Sequence, residues 1–136
     1  MVGDGIAAAL RLGAVAVQMG TAFILCPESA ASEGYRSDLK SERANHTAVT
    51  SAISGRPARG IVNRMYALDN NDSPPIPNYP LAYDAGKALH QAASAQSSND
   101  YAAHWAGQGA PLARELPAAA LVRQLVEEWH RGSEVK

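Results

Sequence analysis

The chain has 136 residues, 46% of them hydrophobic, with 12 Lys and Arg against 13 Asp and Glu and a formal net charge of −1. That length holds one ordinary domain with its own core. The scattered basic residues exclude a nucleic-acid surface and a polybasic membrane patch, and one cysteine, Cys26, excludes an internal disulfide. A disulfide-stapled secreted scaffold is thereby ruled out, and the expected setting is the reducing cytoplasm.

The N-terminal apolar stretch begins after Asp4 and is interrupted by Arg11, which fits neither a signal peptide nor a membrane span of about 20 apolar residues. Asp4 is expected to cap a helix over Gly5 to Leu12, with Gly13 as its stop. Ala14 to Gln18, with Val15 and Val17, reads as a short buried parallel strand. Gln18-Met19-Gly20-Thr21 is then a sharp turn, Ala22 to Cys26 is apolar, and Pro27 stops it. Ser29 or Ser32 caps a helix over Glu33 to Ala44. Thr47 to Ile53 reads as a short strand. Ser54 to Gly60 has two Gly and one Pro in seven residues and reads as an irregular loop. Val62 to Leu68 is expected to be helical. Asn70 to Pro80, with four prolines, is a linker or long surface loop. Ala82 to Ala95 is a helix by composition, Tyr101 to Trp105 a short one, and Gly107-Gln108-Gly109 a tight loop. The last helix is the clearest. Pro117 stands in its first turn, Leu121, Val122, Leu125, Val126 and Trp129 form its apolar stripe, and Gly132 is expected to end it.

Three stretches carry a family resemblance: IAAALRLGAVAVQMGTAFILCPES (Ile6 to Ser29), SGRPARGIVNR (Ser54 to Arg64) and WAGQGAPLARELPAAALV (Trp105 to Val122). In this order and spacing they resemble the FMN-dependent nitronate monooxygenases, long called 2-nitropropane dioxygenases. The resemblance is weakest from Asp69 to Asn99. It implies an α/β fold: the C-terminal portion of an FMN-binding (β/α)8 (TIM) barrel with a mostly helical inserted domain. On that comparison residues 1–29 are the last helix–strand unit of the barrel with its phosphate turn. Residues 30–101 are the inserted domain over the flavin, and 102–136 are the return loop and final barrel helix. The implied activity is oxidation of an alkyl nitronate by O2 with FMN as cofactor, with no nucleic acid or membrane as partner.

The same comparison implies that Gln18, Met19, Gly20 and Thr21 bind the FMN phosphate. Glycine lets the backbone approach an anion without a Cβ clash, and a threonine hydroxyl can donate to it. In the family a glycine-rich loop (AGGI, then DGRG) supplies further phosphate contacts. Here the chain opens Met1-Val2-Gly3-Asp4-Gly5: either Gly5 matches the last Gly of DGRG and Asp4 replaces its arginine, or Gly3-Asp4-Gly5 is a shortened loop, and both leave Gly3 and Gly5 as further cofactor-binding positions. Arg56 and Arg59 either pin their loop by salt bridges, the plainer reading, or reach the flavin or substrate, and Gln108 either approaches the flavin or merely bonds backbone. The family's catalytic histidine lies upstream of the matched region, so none of His46, His90, His104 or His130 is assigned as catalytic. His104, beside Trp105, is the nearest to an exception. No His, Cys or carboxylate spacing points to a metal.

Two functional classes remain open on this reading. The chain belongs to a flavin enzyme, either a nitronate monooxygenase or a related FMN-dependent enoyl reductase. Alternatively it is a non-catalytic truncated remnant or one piece of a split barrel. A closed barrel of this type needs about 250 residues, so the isolated chain is expected to be marginally stable and to aggregate, to dimerise or to require a partner chain.

Overall fold

The computed structural model describes residues 2–134. Among them run four α-helices, Gly3–Arg11 (α1), Glu33–Leu39 (α2), Leu81–Ser94 (α3) and Ala118–Glu134 (α4). Two short strands, Thr47–Thr50 (β1) and Ala58–Ile61 (β2), pair antiparallel with Thr47 opposite Ile61 and Thr50 opposite Ala58. Single 3-10 turns at Thr21–Phe23, Glu42–Asn45, Arg64–Leu68 and Ala110–Leu112 join these elements. None of the helices described is long and apolar enough to cross a membrane.

α1 starts two residues earlier than the composition implies. Val2 occupies the N-cap position, and Asp4 lies inside the first turn, where its carboxylate meets the positive end of the helix dipole. Gly13 ends the helix as expected, with φ +98°. The segment Ala14 to Gln18, however, is not a strand: it runs without a ladder assignment, and Val15 is fully exposed. A strand needs a neighbour to take its N–H and C=O groups, and no described segment pairs with this one.

α4 is stabilised at its start from a distance, since the Ala118 N–H donates to both carboxylate oxygens of Glu28 (3.0 and 3.1 Å). Pro117 stands just before the helix, and its carbonyl accepts from the Leu121 N–H (2.9 Å). The buried residues of α4 are Leu121, Leu125 and Glu128, whereas Val122 and Val126 of the expected stripe are 47% and 40% exposed. Gly132 does not end the helix. A Cβ there would come within 2.9 Å of Asp4 Oδ1 and 3.1 Å of the Ala7 Cβ, so Gly132 is a point of close approach between α1 and α4.

The middle of the chain also departs from its sequence pattern. α2 stops at Leu39 because Ser41 turns back on it. The Ser41 hydroxyl donates to the Asp38 carbonyl (2.8 Å) and accepts from the Arg43 N–H (3.2 Å), the competition with helical bonding typical of serine. Ser32 caps α2 by accepting from the Tyr35 N–H (3.2 Å). Ala58 to Gly60, expected in a loop, belongs to β2, with Pro57 just outside the ladder where its missing N–H costs nothing. Tyr101 lies in a turn and residues 102–105 are not helical. Their main chain is laid along β2, with the Ile61 N–H donating to the His104 carbonyl (2.9 Å) and the Ala106 N–H to the Arg59 carbonyl (3.1 Å). Residues 30–101 therefore hold a β-hairpin beside their helices, and that hairpin is stitched to the segment that follows.

Two apolar clusters hold the parts together. Leu25, Leu39, Ala44, Ile61, Ala106 and Ala110 tie the turn after Thr21 to α2, β2 and the return segment. Ala22, Cys26, Leu121 and Leu125 tie the same turn to α4, with Met19, Ile6 and Phe23 packed on their edge. Outside these clusters Leu12 is 89% exposed and Val15 fully so. We expect the purified chain to self-associate through this run, and Leu12→Glu with Val15→Glu to shift it toward monomer in size-exclusion chromatography with light scattering. A wild-type chain that is monomeric and melts in one cooperative transition would contradict this.

Candidate functional site

Three distant stretches of chain meet at one cavity of about 580 Å³, lined by Gly20, Thr21 and Ile24, by Ser29 to Ala31 and Tyr35, by Arg59, and by Trp105 to Gly107. Its edges are fixed by bonds between side chains and main chain. The Gly107 N–H donates to Thr21 Oγ1 (3.1 Å), which joins the turn after α1 to the return segment across 86 residues of sequence. Arg59, in β2, donates from Nη1 to the Thr47 carbonyl (3.0 Å), so its guanidinium is held across the hairpin while lining the cavity.

Gly20 is informative through what does not surround it. Its φ of −102° is open to any residue, and a Cβ built there meets nothing within 4 Å. Neither backbone angle nor internal packing calls for glycine. The missing side chain leaves room at the cavity wall for a ligand to approach the main chain. The residues that follow form a 3-10 turn of three residues, so the positive end expected from a longer helix is small here.

The other expected positions separate clearly. Met19 packs on the α4 cluster, and Gln18 is exposed beside it. Gly3 is buried between α1 and α4 and gives its N–H to Glu128 Oε2 (2.7 Å), so that donor is taken up inside the fold. Gly5 is exposed and a Cβ there meets nothing. Arg56 is not at the cavity. It lies over the Tyr79 ring, 5.2 Å from its centroid, a cation–π contact rather than the salt bridge the plainer reading proposes. Gln108 is exposed one residue beyond the lining.

Sequence reasoning missed Tyr35 and the partner of His104. His104 Nδ1 lies 2.9 Å from Asp38 Oδ2, both residues are buried, and the Tyr35 ring stacks on the imidazole at 4.5 Å with 1° between planes. Burial pushes the His104 imidazole below its ordinary value, and the hydrogen bond to Asp38 opposes that shift. Burial pushes the Tyr35 phenol up to about 12, so it stays a donor, and its hydroxyl donates to the Trp105 carbonyl. A 66-residue separation hides the Asp38–His104 pair from any local pattern. His46 and His130 are exposed, His130 resting on Trp129. Cys26 is packed in the α4 cluster, and burial, with Glu28 nearby, raises its thiol, so it behaves as a small apolar residue. Among the described residues, no group of three or more His, Cys, Asp or Glu is placed to hold a metal ion.

The family model for nitronate monooxygenase matches residues 1–128. The chain belongs to the nitronate monooxygenase family. It is 61% identical over 129 residues to a nitronate monooxygenase of Pseudomonas aeruginosa, covering 94% of this chain and 37% of that protein. It is 55% identical over 135 residues to one of Paraburkholderia phytofirmans, covering 98% of this chain and 37% of that protein. Among solved structures, nitroalkane oxidase from Streptomyces ansochromogenes superposes with a TM-score of 0.86 at 39% identity, over 97% of this chain and 38% of the other. FabK from Thermotoga maritima superposes with a TM-score of 0.72 at 26% identity, over 98% of this chain and 42% of the other. The chain thus spans about 37% of the length of the nitronate monooxygenases it matches. Each of the three stretches that carry the resemblance in sequence contributes to the cavity lining, joined there by Ala30, Ala31 and Tyr35.

Proposed function

We propose that this chain forms the phosphate-side wall of the flavin site in an FMN-dependent oxidation of alkyl nitronates by O2, as the C-terminal part of a (β/α)8 barrel. The observation that carries this reading is the convergence of Gly20-Thr21, Arg59 and Trp105 to Gly107 on one cavity, with the open space at Gly20. The residues fit an anionic cofactor. The main chain at Gly20 and Thr21 is approachable, Thr21 adds a hydroxyl, and Arg59 adds a positive charge. Bound FMN would supply the redox chemistry, taking electrons from the nitronate. The chain's own part is to bind and orient. Gly20 and Thr21 hold the phosphate end, Arg59 offsets anionic charge, and Tyr35 with Trp105 closes the apolar side against water. Gln18 and Met19 act through the turn: Met19 anchors it in the α4 cluster. An FMN-dependent enoyl reductase is the alternative activity of such a barrel. The 61% identity to a nitronate monooxygenase favours oxidation of nitronates over it.

A second reading, that the chain acts as one piece completed by a partner segment or by a second copy, is favoured by the exposed run at Leu12 and Val15. Titration of the purified chain with FMN, followed by flavin fluorescence, tests the first reading. Saturable binding that falls at least about tenfold in Gly20→Asp, where a carboxylate meets the phosphate, is the expected result. A well-folded chain that leaves FMN fluorescence unchanged, or binding indifferent to Gly20→Asp, would remove the phosphate assignment.

A further inference from the structure

We propose that the Asp38–His104 pair is the positioning device of this cavity, fixing the plane of Tyr35 and the path of the main chain from Trp105 to Gly107. This rests on reading the cavity as a ligand site. His104 and Asp38 are 4% and 7% exposed and come from opposite halves of the chain. One carboxylate oxygen of Asp38 takes His104 Nδ1 at 2.9 Å, and the other takes Arg43 Nη1 at 3.1 Å. With both oxygens engaged, the carboxylate cannot turn, and the imidazole plane is set by a directional bond. Tyr35 lies parallel to that plane and passes the orientation on, since its hydroxyl donates to the Trp105 carbonyl. Beyond it the Ala106 N–H is bonded to Arg59 and the Gly107 N–H to Thr21, so ring and strap form one continuous wall.

Stability alone does not account for a polar pair at this place. An apolar pair of similar volume usually serves a core equally well or better, because both groups must be stripped of water. What the polar pair adds is angle. Tyr35 is also shared with a second, smaller cavity of about 210 Å³, where His90 meets His104 edge-on at 6.4 Å between centroids. A ring that separates two cavities changes the shape of both when it rotates, so its plane is worth fixing.

His104→Phe keeps a buried ring against Tyr35 and deletes the donor to Asp38, while His104→Asn keeps an N–H near the Nδ1 position. Two readouts are compared with thermal stability measured alongside: the flip rate of 13C-labelled Tyr35 by NMR without flavin, and FMN affinity by fluorescence. The expected result is Tyr35 flipping at least about tenfold faster in His104→Phe, which loses the bond to Asp38, and also in His104→Asn, which loses the stacked ring, with FMN binding weakened by a similar factor in both. Wild-type flip rate and wild-type affinity in His104→Phe would overturn the inference. Should that variant not fold, Asp38→Asn against His104→Asn decides on the same readouts. Faster Tyr35 flips in both support it, and unchanged flips in Asp38→Asn overturn it. If the wild-type chain takes up no FMN, the cavity reading falls, and the Tyr35 flip rate still decides whether the pair positions the ring.

Discussion

Glu128→Ala is expected to cost the chain about 3 kcal/mol, the range found when one partner of a buried ion pair is removed. Glu128 is 9% exposed and its carboxylate joins three parts of the chain. Arg114 of the return segment reaches it with Nη1 at 2.6 Å and Nη2 at 3.2 Å, the Gly3 N–H at 2.7 Å, and Gln124 Nε2 at 3.1 Å. Truncation leaves the Gly3 donor and the Arg114 guanidinium without this acceptor. The pH dependence follows from the same contacts. Arg114 first, and then the Gly3 N–H, holds the Glu128 carboxyl down at about 2, against an ordinary value of 4.5. The folded state therefore binds this proton less tightly than the unfolded chain does. The contribution is fully present above about pH 4.5 and is lost as pH falls through 4.5 toward 2. Urea denaturation of wild type and variant across that range should show the two curves converging in acid. A difference at neutral pH below about 0.5 kcal/mol would show that the clamp contributes nothing.

Gly3→Ala and Gly5→Ala are expected to act with opposite signs although they stand two residues apart in one helix. A Cβ at Gly3 would sit 2.3 Å from the Glu128 Cβ and 2.4 Å from both the Leu125 carbonyl oxygen and the Trp129 nitrogen. Two of those three are backbone, so α1 must move off α4, at a cost of about 1–3 kcal/mol. At Gly5 a Cβ meets open space, and alanine gains about 0.5–1 kcal/mol by helix propensity alone. Thermal melts of the two single variants check this, and a shift in the same direction for both would refute the packing assignment of Gly3. Both glycines look alike in sequence, as a short glycine-rich opening suited to a phosphate. The structure gives Gly3 to a helix crossing.

How much was readable depended on the range of the cause. The helices and their local punctuation were legible: Gly13 in a left-handed turn, Ser32 as a cap and the final helix after Pro117 each depend on neighbours within a few residues. Of the positions expected near one ligand, Gly20, Thr21 and Arg59 do line one cavity. Features with distant causes were not legible. Residues 101–105 favour a helix by composition but are laid along β2 instead. Val122 and Val126 fit an apolar stripe, yet the buried face turns instead toward Glu128 because Gly3 and Arg114 converge there. Ala14 to Gln18 carries the pattern of a buried strand, and pattern alone does not supply the neighbouring ladder. The pairing of Asp38 with His104 leaves no trace in spacing at all.

The joining of α1 to α4 by contacts 125 residues apart also sets an order of events during synthesis. α1 leaves the ribosome about 125 residues before the part of α4 that buries Ala7 and the Gly3 face. At about 5–20 residues per second the wait is about 6–25 s, far longer than the microseconds in which a helix of this size forms and melts. Through that interval α1 is a short, marginal helix carrying an apolar face. Asp4 in its first turn and Arg11 in its last keep part of its surface polar through that wait.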